Sequence, residues 1–372
     1  MAKVIIISHY TKSITNLRGD LIKEWIRQGH EVLALGPEED EDEAVENLGA
    51  RYEKYPLDRT GNSIYKDFVT LKHLRKVIRE EKPSVVFTYA AKPNIYGCLA
   101  GRLEKVPYIY AMINGAGYLF SENDKGSLHK MLKFFVKKLY KVAIKKNHAV
   151  FFQNLEDQQA FHNMGLLGNQ TKSIRINGSG VNTERFSPRE KEETGTSFLL
   201  IARLLWDKGI GEYMEAARNI LKKYPEARFK ILGPFDTNPQ AVKEEDIQRW
   251  TEEGMLQYLG ETNDVREYIK NCSVYVLPTF YKEGVPRSIL EAMSMGKPII
   301  TTNTPGCRET VESNKNGILV KPGNAKDLQE AMEYFLQNPE NIHEMGMNSR
   351  SLALEKFDVH KVNQQILEAM DF

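Results

Sequence analysis

The segment Ser273–Met293 reads in turn as a strand, a loop and a helix. Ser273–Val274–Tyr275–Val276–Leu277 is an apolar, β-branched run closed by Pro278, the pattern of a buried strand. Phe280–Val285 reads as a loop, and Pro286 has the φ of a first helical residue with no N–H to leave unpaired. The N–H groups of Arg287, Ser288 and Ile289 then face outward at the positive end of a short helix. Placed at the carboxyl end of a strand, such an end is a phosphate cradle. Glu283 in the loop and Glu291 on the second helical turn bracket the cradle, eight residues apart. Carboxylates repel phosphate but accept hydrogen bonds from the hydroxyls of an attached ribose or sugar. The alternative is that Glu291 pairs with Arg287 one turn back and Glu283 is a solvated loop residue.

With 372 residues the chain is too long for one ordinary core and suits two domains. A net charge of +1 gives no global attraction to nucleic acid, so any basic surface must be local. Cys98, Cys272 and Cys307 are too dispersed for a disulfide framework or a zinc site, which fits a reduced, cytoplasmic setting. The run Val4–Ile7 is too short for a signal peptide, and no segment approaches the ~18 apolar residues that span a bilayer.

Along the first half, Val4–Ile7, Glu31–Leu35, Ser84–Tyr89, Pro107–Met112 and His148–Gln153 read as strands that alternate with helices, the largest near Leu17–Gln28 and Ile64–Glu81. This spacing predicts a parallel, doubly wound sheet. The loop His9–Asn16 lacks the G-x-G-x-x-G of dinucleotide-binding proteins and carries polar side chains instead, with Thr15 and Asn16 as candidate contacts to a hydroxyl or phosphate. Ile113–Phe120 holds Asn114, Gly115 and Gly117 at a strand's carboxyl end, where a backbone can approach a ligand closely. The acidic run Glu38–Glu46 is expected on a solvated face. The second half repeats the alternation, and Arg203 and Lys208 lie between its first strand and helix, placed to neutralise a diphosphate.

Leu128–Lys146 is amphipathic in an unusual way. Leu128, Met131 or Leu132, Phe135, Leu139 and Val142 or Ala143 recur at helical spacing and are expected to face the core. Lys133, Lys137, Lys141 and Lys145 form an i, i+4 row, with Lys130 and Phe134 beside it and no acidic residue in the segment. A solvated charged face is one explanation; an anionic membrane surface or a lipid diphosphate is the other.

Glu283-x7-Glu291 followed by Ala292–Met293–x–x–Gly296–x–Pro298–Ile299–Ile300 resembles the donor-site motif of glycosyltransferase family 4. Ala202–Arg203 with Lys208–Gly209, Gly260, Gly306 before Glu309, and Asn316–Gly317 ahead of Pro322–Gly323 agree with it, and Asn177–Pro188 is similar to the family's interdomain junction. The match is specific from about Asn177 to Gly323 and looser before it. The resemblance implies an α/β chain of the GT-B fold, two doubly wound Rossmann-like domains facing each other across a cleft. The expected domains are residues 1–186 for the acceptor, a linker at 187–197, residues 198–355 for a nucleotide sugar, and a segment 356–372 returning to the first domain.

It further implies a retaining transferase using a UDP-linked donor, with N-acetylhexosamine the best match. The acceptor would be a lipid-linked (polyprenyl diphosphate) saccharide, with the protein peripheral on the inner face of the cell membrane. Arg203, Lys208 and Glu283 take the catalytic roles. Glu291, Gly284, Val285, Arg287, Ser288, Ile289, Gly233 and Leu259 form the donor set, and Thr15, Asn16, Asn114 and Gly115 lie on the acceptor side. Asn114 stands where many members carry histidine, so it can hydrogen-bond but not take up a proton. No Asp-x-Asp pair lies near the site, and no metal or other cofactor is expected. A sugar-nucleotide epimerase or hydrolase, and a non-catalytic membrane-docked sensor, are the competing classes.

Overall fold

A strand such as Lys3-Val-Ile-Ile-Ile7 has no polar side to give to water, so it must be covered by helices on both faces. In the computed structural model Val4, Ile5, Ile6 and Ile7 are all fully buried. The structure describes the chain apart from residues 39–41, 60, 62, 116–126, 193, 239, 282 and 371, with backbone alone at 127–130 and 132. The chain forms two units, Met1–Ser179 with His360–Phe372, and Gly180–Val359.

The first unit is a seven-stranded parallel sheet ordered β3-β2-β1-β4-β5-β6-β7. Its strands are β1 (Lys3–Ile7), β2 (Glu31–Gly36), β3 (Arg51–Lys54), β4 (Val85–Tyr89), β5 (Tyr108–Ile113), β6 (Ala149–Phe152) and β7 (Lys172–Arg175). The helices are α1 (Lys12–Arg27), α2 (Asp42–Glu46), α3 (Ile64–Glu81), α4 (Ala91–Leu103), α5 (Ser127–Ile144) and α6 (Leu155–Asn163). On one face of the sheet, Leu74, Val77 and Ile78 of α3, Ile95 and Cys98 of α4, Tyr140, Ala143 and Ile144 of α5 and Phe161 of α6 share a core. On the other face, Ile14, Leu21, Ile22 and Trp25 of α1 pack with Val362, Ile366 and Met370.

The second unit has six parallel strands ordered β10-β9-β8-β11-β12-β13. They are β8 (Ser197–Ile201), β9 (Arg228–Leu232), β10 (Gln257–Tyr258), β11 (Val274–Leu277), β12 (Ile299–Thr302) and β13 (Gly317–Val320). The helices are α7 (Ile210–Leu221), α8 (Glu244–Glu252), α9 (Arg266–Lys270), α10 (Arg287–Ser294), α11 (Ala325–Gln337), α12 (Glu340–Leu352) and α13 (Val359–Ala369), the last belonging almost wholly to the first unit. Both sheets change winding direction between their first and fourth strands, at β1/β4 and β8/β11. Crevices at such switch points are where open α/β sheets bind ligands.

The structure differs from the sequence reading at several places. The crossing into the second unit lies at Ser179–Gly180, ahead of residue 186. The expected linker is held along the second unit at two points: Arg189 pairs with Glu267 at 2.8 Å, and Lys191 donates to Ser273 Oγ at 2.8 Å. The return begins at His360, after residue 356. Helix α1 starts at Lys12, so Thr15 and Asn16 sit in its first turns, outside any loop. Glu38, expected to be solvated, accepts from the Thr11 backbone N–H at 2.8 Å and from the Thr11 hydroxyl at 2.6 Å.

The largest correction concerns α5. Phe135 and Leu139, expected in the core, are exposed, and so is Met131; of the pair Val142 and Ala143 only Ala143 is buried, while Lys133 is only 7% exposed. The buried apolar stripe is Tyr140, Ala143 and Ile144, which join the core on this face of the sheet. Burying this stripe turns the larger apolar one outward. The side chains of Leu128, Lys130 and Leu132 lie outside the described residues.

Candidate functional site

A pocket of about 380 Å³ opens at the carboxyl edge of the second sheet, at the β8/β11 switch point. Three of the chain segments that line it directly follow sheet strands. Ala202 and Arg203 continue β8, Gly233 and Pro234 continue β9, and Glu283, Pro286–Ser288 and Glu291 follow β11. The β9 end comes so close to the β8 end that a Cβ on Gly233 would lie 1.8 Å from the Ala202 carbonyl oxygen, which only glycine tolerates.

Pro286 is the N-cap of α10, one position earlier than the first helical residue it was expected to be. The first bond of the helix runs from Leu290 N–H to the Pro286 carbonyl at 3.3 Å. The N–H groups of Arg287, Ser288 and Ile289 are therefore left at the positive end of the helix dipole. Ser288 Oγ accepts from the Tyr275 hydroxyl at 2.7 Å, which fixes the first turn against β11. Ile289 is fully buried and anchors the helix in the core, and Val285 is buried beside it, so each contributes its backbone alone.

The loop ahead of the helix is held from below. A Cβ on Gly306 would lie 1.9 Å from the Gly284 carbonyl oxygen and 2.8 Å from that of Glu283. From the side, the turn Trp206–Lys208 is stitched to the same loop: the Asp207 carbonyl accepts from Phe280 N–H at 3.0 Å and Tyr281 N–H at 3.2 Å. This brings Lys208 Nζ within 2.5 Å of Glu283 Oε1, with the Tyr281 ring 5.2 Å from the ammonium. Thr279 Oγ1 donates to the same carboxylate oxygen at 3.2 Å.

Each cation of the pocket faces a carboxylate. Arg203 Nη1 meets Asp236 Oδ2 at 2.7 Å, and Arg287 Nε meets Glu291 Oε1 at 3.0 Å. The Glu291–Arg287 pairing and the pocket-lining position coexist, because Glu291 has a second oxygen to offer. Burial holds the Glu291 carboxyl above its ordinary range, with the Arg287 guanidinium pulling it back down. Burial likewise raises Asp207, opposed by Lys208 and reinforced by Glu283. Asp207 Oδ1 is buried without a hydrogen-bond partner among the described residues. Among the described residues no group of three or more His, Cys, Asp or Glu side chains is placed to hold a metal ion.

The structure thus gathers Arg203, Lys208, Gly233, Glu283, Arg287, Ser288 and Glu291 around one pocket. Leu259 is not part of the lining; it packs against the core, and Thr262 and Val265 line the pocket from the same stretch of chain. Asp207 and Asp236 were also missed. Asp207 adjoins Lys208 in sequence, which is a local signal; Asp236 is distant from Arg203 and has none.

In the first unit, Thr15 spends its hydroxyl on the Lys12 carbonyl at 3.0 Å, and Asn16 is exposed on α1. Asn114 Oδ1 accepts from Gln153 Nε2 at 3.1 Å, beside Gly115 with φ 112°. The remainder of that loop, including Gly117, lies outside the described residues. A polar cluster at the same carboxyl edge went unread: Ser8 Oγ and Ser13 Oγ are 2.8 Å apart, Ser13 Oγ is 3.0 Å from the Tyr89 hydroxyl, and the buried Arg18 guanidinium lies 5.4 Å from the Tyr89 ring.

The profile described as Glycosyl transferases group 1 matches residues 181–352, and that described as Glycosyl transferase 4-like domain matches residues 16–166. Over its whole length the chain is similar to the N,N'-diacetylbacillosaminyl-diphospho-undecaprenol alpha-1,3-N-acetylgalactosaminyltransferase of Campylobacter jejuni, with 31% identity across 98% of this chain and 97% of the relative. The chain belongs to the group 1 glycosyltransferases. The transferase is also similar to the UDP-Gal:alpha-D-GlcNAc-diphosphoundecaprenol alpha-1,3-galactosyltransferase of Escherichia coli, at 26% identity over 80% of this chain and 78% of the relative. Among solved structures, Anabaena Alr3699/HepE in complex with UDP and glucose superposes with a TM-score of 0.79 at 18% identity, covering 99% of each chain. At that identity the likeness shows the fold, two Rossmann-like units of the GT-B class.

Proposed function

We propose that the transferase moves an N-acetylhexosamine from a UDP-linked donor to a polyprenyl-diphosphate-linked saccharide, retaining the anomeric configuration. The observation that carries this is the convergence, in one pocket, of three cations, a helix N-terminus and two carboxylates. The choice of sugar and acceptor draws on the similarity to the Campylobacter jejuni relative, whose name specifies both.

In this reading the donor diphosphate lies across the N–H groups of Arg287–Ile289, and Arg203 and Lys208 stabilise the charge that grows on it as the glycosidic bond breaks. Arg203 exchanges Asp236 for phosphate oxygens. Lys208 bridges Glu283 and the diphosphate, so the Glu283 carboxylate is held where the sugar meets its leaving group. Glu291 accepts from ribose hydroxyls with the oxygen that Arg287 leaves free. Neutralisation by these groups leaves no task for a metal ion, so turnover is expected to persist in a chelator. The carboxyl edge of the first sheet, with Asn114, Gly115 and Ser13, is assigned the acceptor.

The same reading places α5 at an anionic membrane. Phe134 and Phe135 are each 54% exposed, and Lys138 lies 4.5 Å from the Phe134 ring. Lys137, Lys138, Lys141 and Lys145 have no acidic partner among the described residues. Aromatic side chains interleaved with unpaired lysines suit the headgroup region, at about 1 kcal/mol per basic residue.

Incubation with UDP-N-acetylgalactosamine, UDP-N-acetylglucosamine, UDP-galactose and UDP-glucose, each with a synthetic polyprenyl-diphosphate saccharide, tests the assignment. One N-acetylhexosamine donor should release UDP and give an elongated product whose anomeric carbon, read by NMR, matches the donor. Release of UDP from none of them, or an inverted product, overturns the reading.

A further inference from the structure

The first turns of α3 leave Ile64 at 86%, Tyr65 at 77% and Phe68 at 62% exposed, more than any other large apolar side chain of the described chain except Met1. Nothing in the fold of this helix requires that. Ser63 caps it through a hydrogen bond from Lys66 N–H, and Thr70, Leu74, Val77 and Ile78 already supply its buried stripe. Contiguous exposed apolar groups of this size mark a surface that meets a partner.

The charges around them identify the partner. Continuing along the same side of α3 come Lys72 and Lys76, both exposed, the first with no acidic partner among the described residues. Asp67 is turned away and engaged by Lys92 Nζ at 2.7 Å and the Tyr96 hydroxyl at 2.8 Å. The uncovered side is therefore apolar at its beginning and basic at Lys72 and Lys76, ahead of Glu80, which lies 4.0 Å from Lys76.

Helix α3 packs on α4, and α4 packs on α5. At ordinary helix spacings of about 8–10 Å, α3 and α5 run roughly 20 Å apart in one layer. Each connects parallel strands, β3 to β4 and β5 to β6, so each starts at the carboxyl edge of the sheet. Ile64, Tyr65 and Phe68 are thus brought to the same edge as Met131, Phe134 and Phe135 of α5, which are also exposed.

We propose that α3 is a second bilayer-docking element, with Ile64, Tyr65 and Phe68 entering the headgroup–acyl boundary of an anionic membrane while Lys72 and Lys76 meet its phosphates. It extends the membrane contact assigned to α5 above and rests on that reading. One helix would leave the protein free to roll about the helix axis; a second contact about 20 Å away fixes the orientation. Fixing it this way brings the carboxyl edge of the first sheet to the bilayer, the edge to which a lipid-linked diphosphate is assigned.

The test is cosedimentation with vesicles of phosphatidylglycerol and phosphatidylcholine, and of phosphatidylcholine alone. It compares the wild-type chain, an α3 variant (Ile64→Ser, Tyr65→Ser, Phe68→Ser) and an α5 variant (Lys137, Lys138, Lys141 and Lys145 each to Glu). The α3 variant should lose on the order of tenfold or more in vesicle affinity while keeping its melting temperature and its affinity for UDP. Phe68→Trp should gain quenching by brominated acyl chains over the wild type. An α3 variant that binds as the wild type does, with the α5 variant impaired, overturns the α3 assignment and leaves the α5 contact standing. A wild-type chain that fails to bind anionic vesicles at low salt overturns both. An α3 variant altered in self-association but not in vesicle binding shows that the face meets protein, which also overturns the proposal.

Discussion

Substituting Gly306 by alanine tests whether the loop under the pocket positions Glu283. The added Cβ would lie 1.9 Å from the Gly284 carbonyl oxygen, where real Cβ contacts essentially never fall under 3.0 Å. The Glu283–Gly284 loop must therefore retreat by about 1 Å, and a displacement of about 1 Å at reacting groups costs on the order of 10²-fold in rate. The φ of +86° at Gly306 adds backbone strain of about 1–2 kcal/mol for any L side chain. Strain and displacement separate through Gly254→Ala, whose φ is +70° but whose Cβ would meet nothing within 4 Å. At about 2–4 °C per kcal/mol for a unit of this size, both variants should melt roughly 2–8 °C lower. Only Gly306→Ala should also lose about 10²-fold in kcat for release of UDP from the donor, measured below the melting transition. A Gly306→Ala enzyme that melts lower but turns over as the wild type does would refute the positioning role of this loop.

Arg203→Ala and Lys208→Ala should each lower kcat by about 10²–10³-fold with the far-ultraviolet spectrum unchanged, because both act on charge that develops in the transition state; steady-state kinetics with a saturating donor decides. Glu291 has a raised folded-state pKa, so it protonates on acidification before an ordinary carboxylate does. UDP affinity should fall through that early limb in the wild type and show no such limb in Glu291→Gln, as calorimetric titration at a series of pH values would reveal. Glu104 is held at about 2 by hydrogen bonds from Arg79 and Arg75. Its folded-state pKa is depressed, so its stabilisation is complete above the ordinary value of 4.5 and disappears as pH falls toward about 2. Glu104→Gln should therefore melt below the wild type at neutral pH, and the two melting temperatures should converge on acidification.

Legibility in the sequence followed the range of the forces involved. The strand–loop–helix at Val274–Ser294 was readable because its determinants are local: a buried strand, a proline at the helix start and two carboxylates at fixed spacing. Strands β3 and β7 were not, since Arg51–Lys54 and Lys172–Arg175 lie toward the sheet edges and carry no apolar run. Thr15 and Asn16 read as loop because α1 opens with polar side chains. Its start at Lys12 is set by tertiary packing of Ser13 and Ile14. The orientation of α5 could not be read from period at all. A helix with two apolar stripes has the same periodicity whichever stripe is buried, and the choice is made by tertiary packing. Asp236 is invisible for a similar reason: its pairing with Arg203 exists only once β8 and β9 lie side by side.

The second unit is continuous, Gly180–Val359, whereas the first is completed only by residues 360–372. The two chain segments at its margin are bonded to each other, Val181 N–H to the Phe357 carbonyl at 2.8 Å and Val359 N–H to the Val181 carbonyl at 2.9 Å. One unit is thus a guest spliced into the other, and its entry and exit are clasped together. During synthesis the guest has all its residues before the host does, since Val362, Ile366 and Met370 belong to the host's core. Until they arrive, the layer that Ile14, Leu21, Ile22 and Trp25 of α1 form over Val4 and Ile6 lacks its last helix. The nascent host waits with part of one core uncovered while its guest folds, and a ribosome stalled near Val359 would display one finished unit and one that chaperones should recognise.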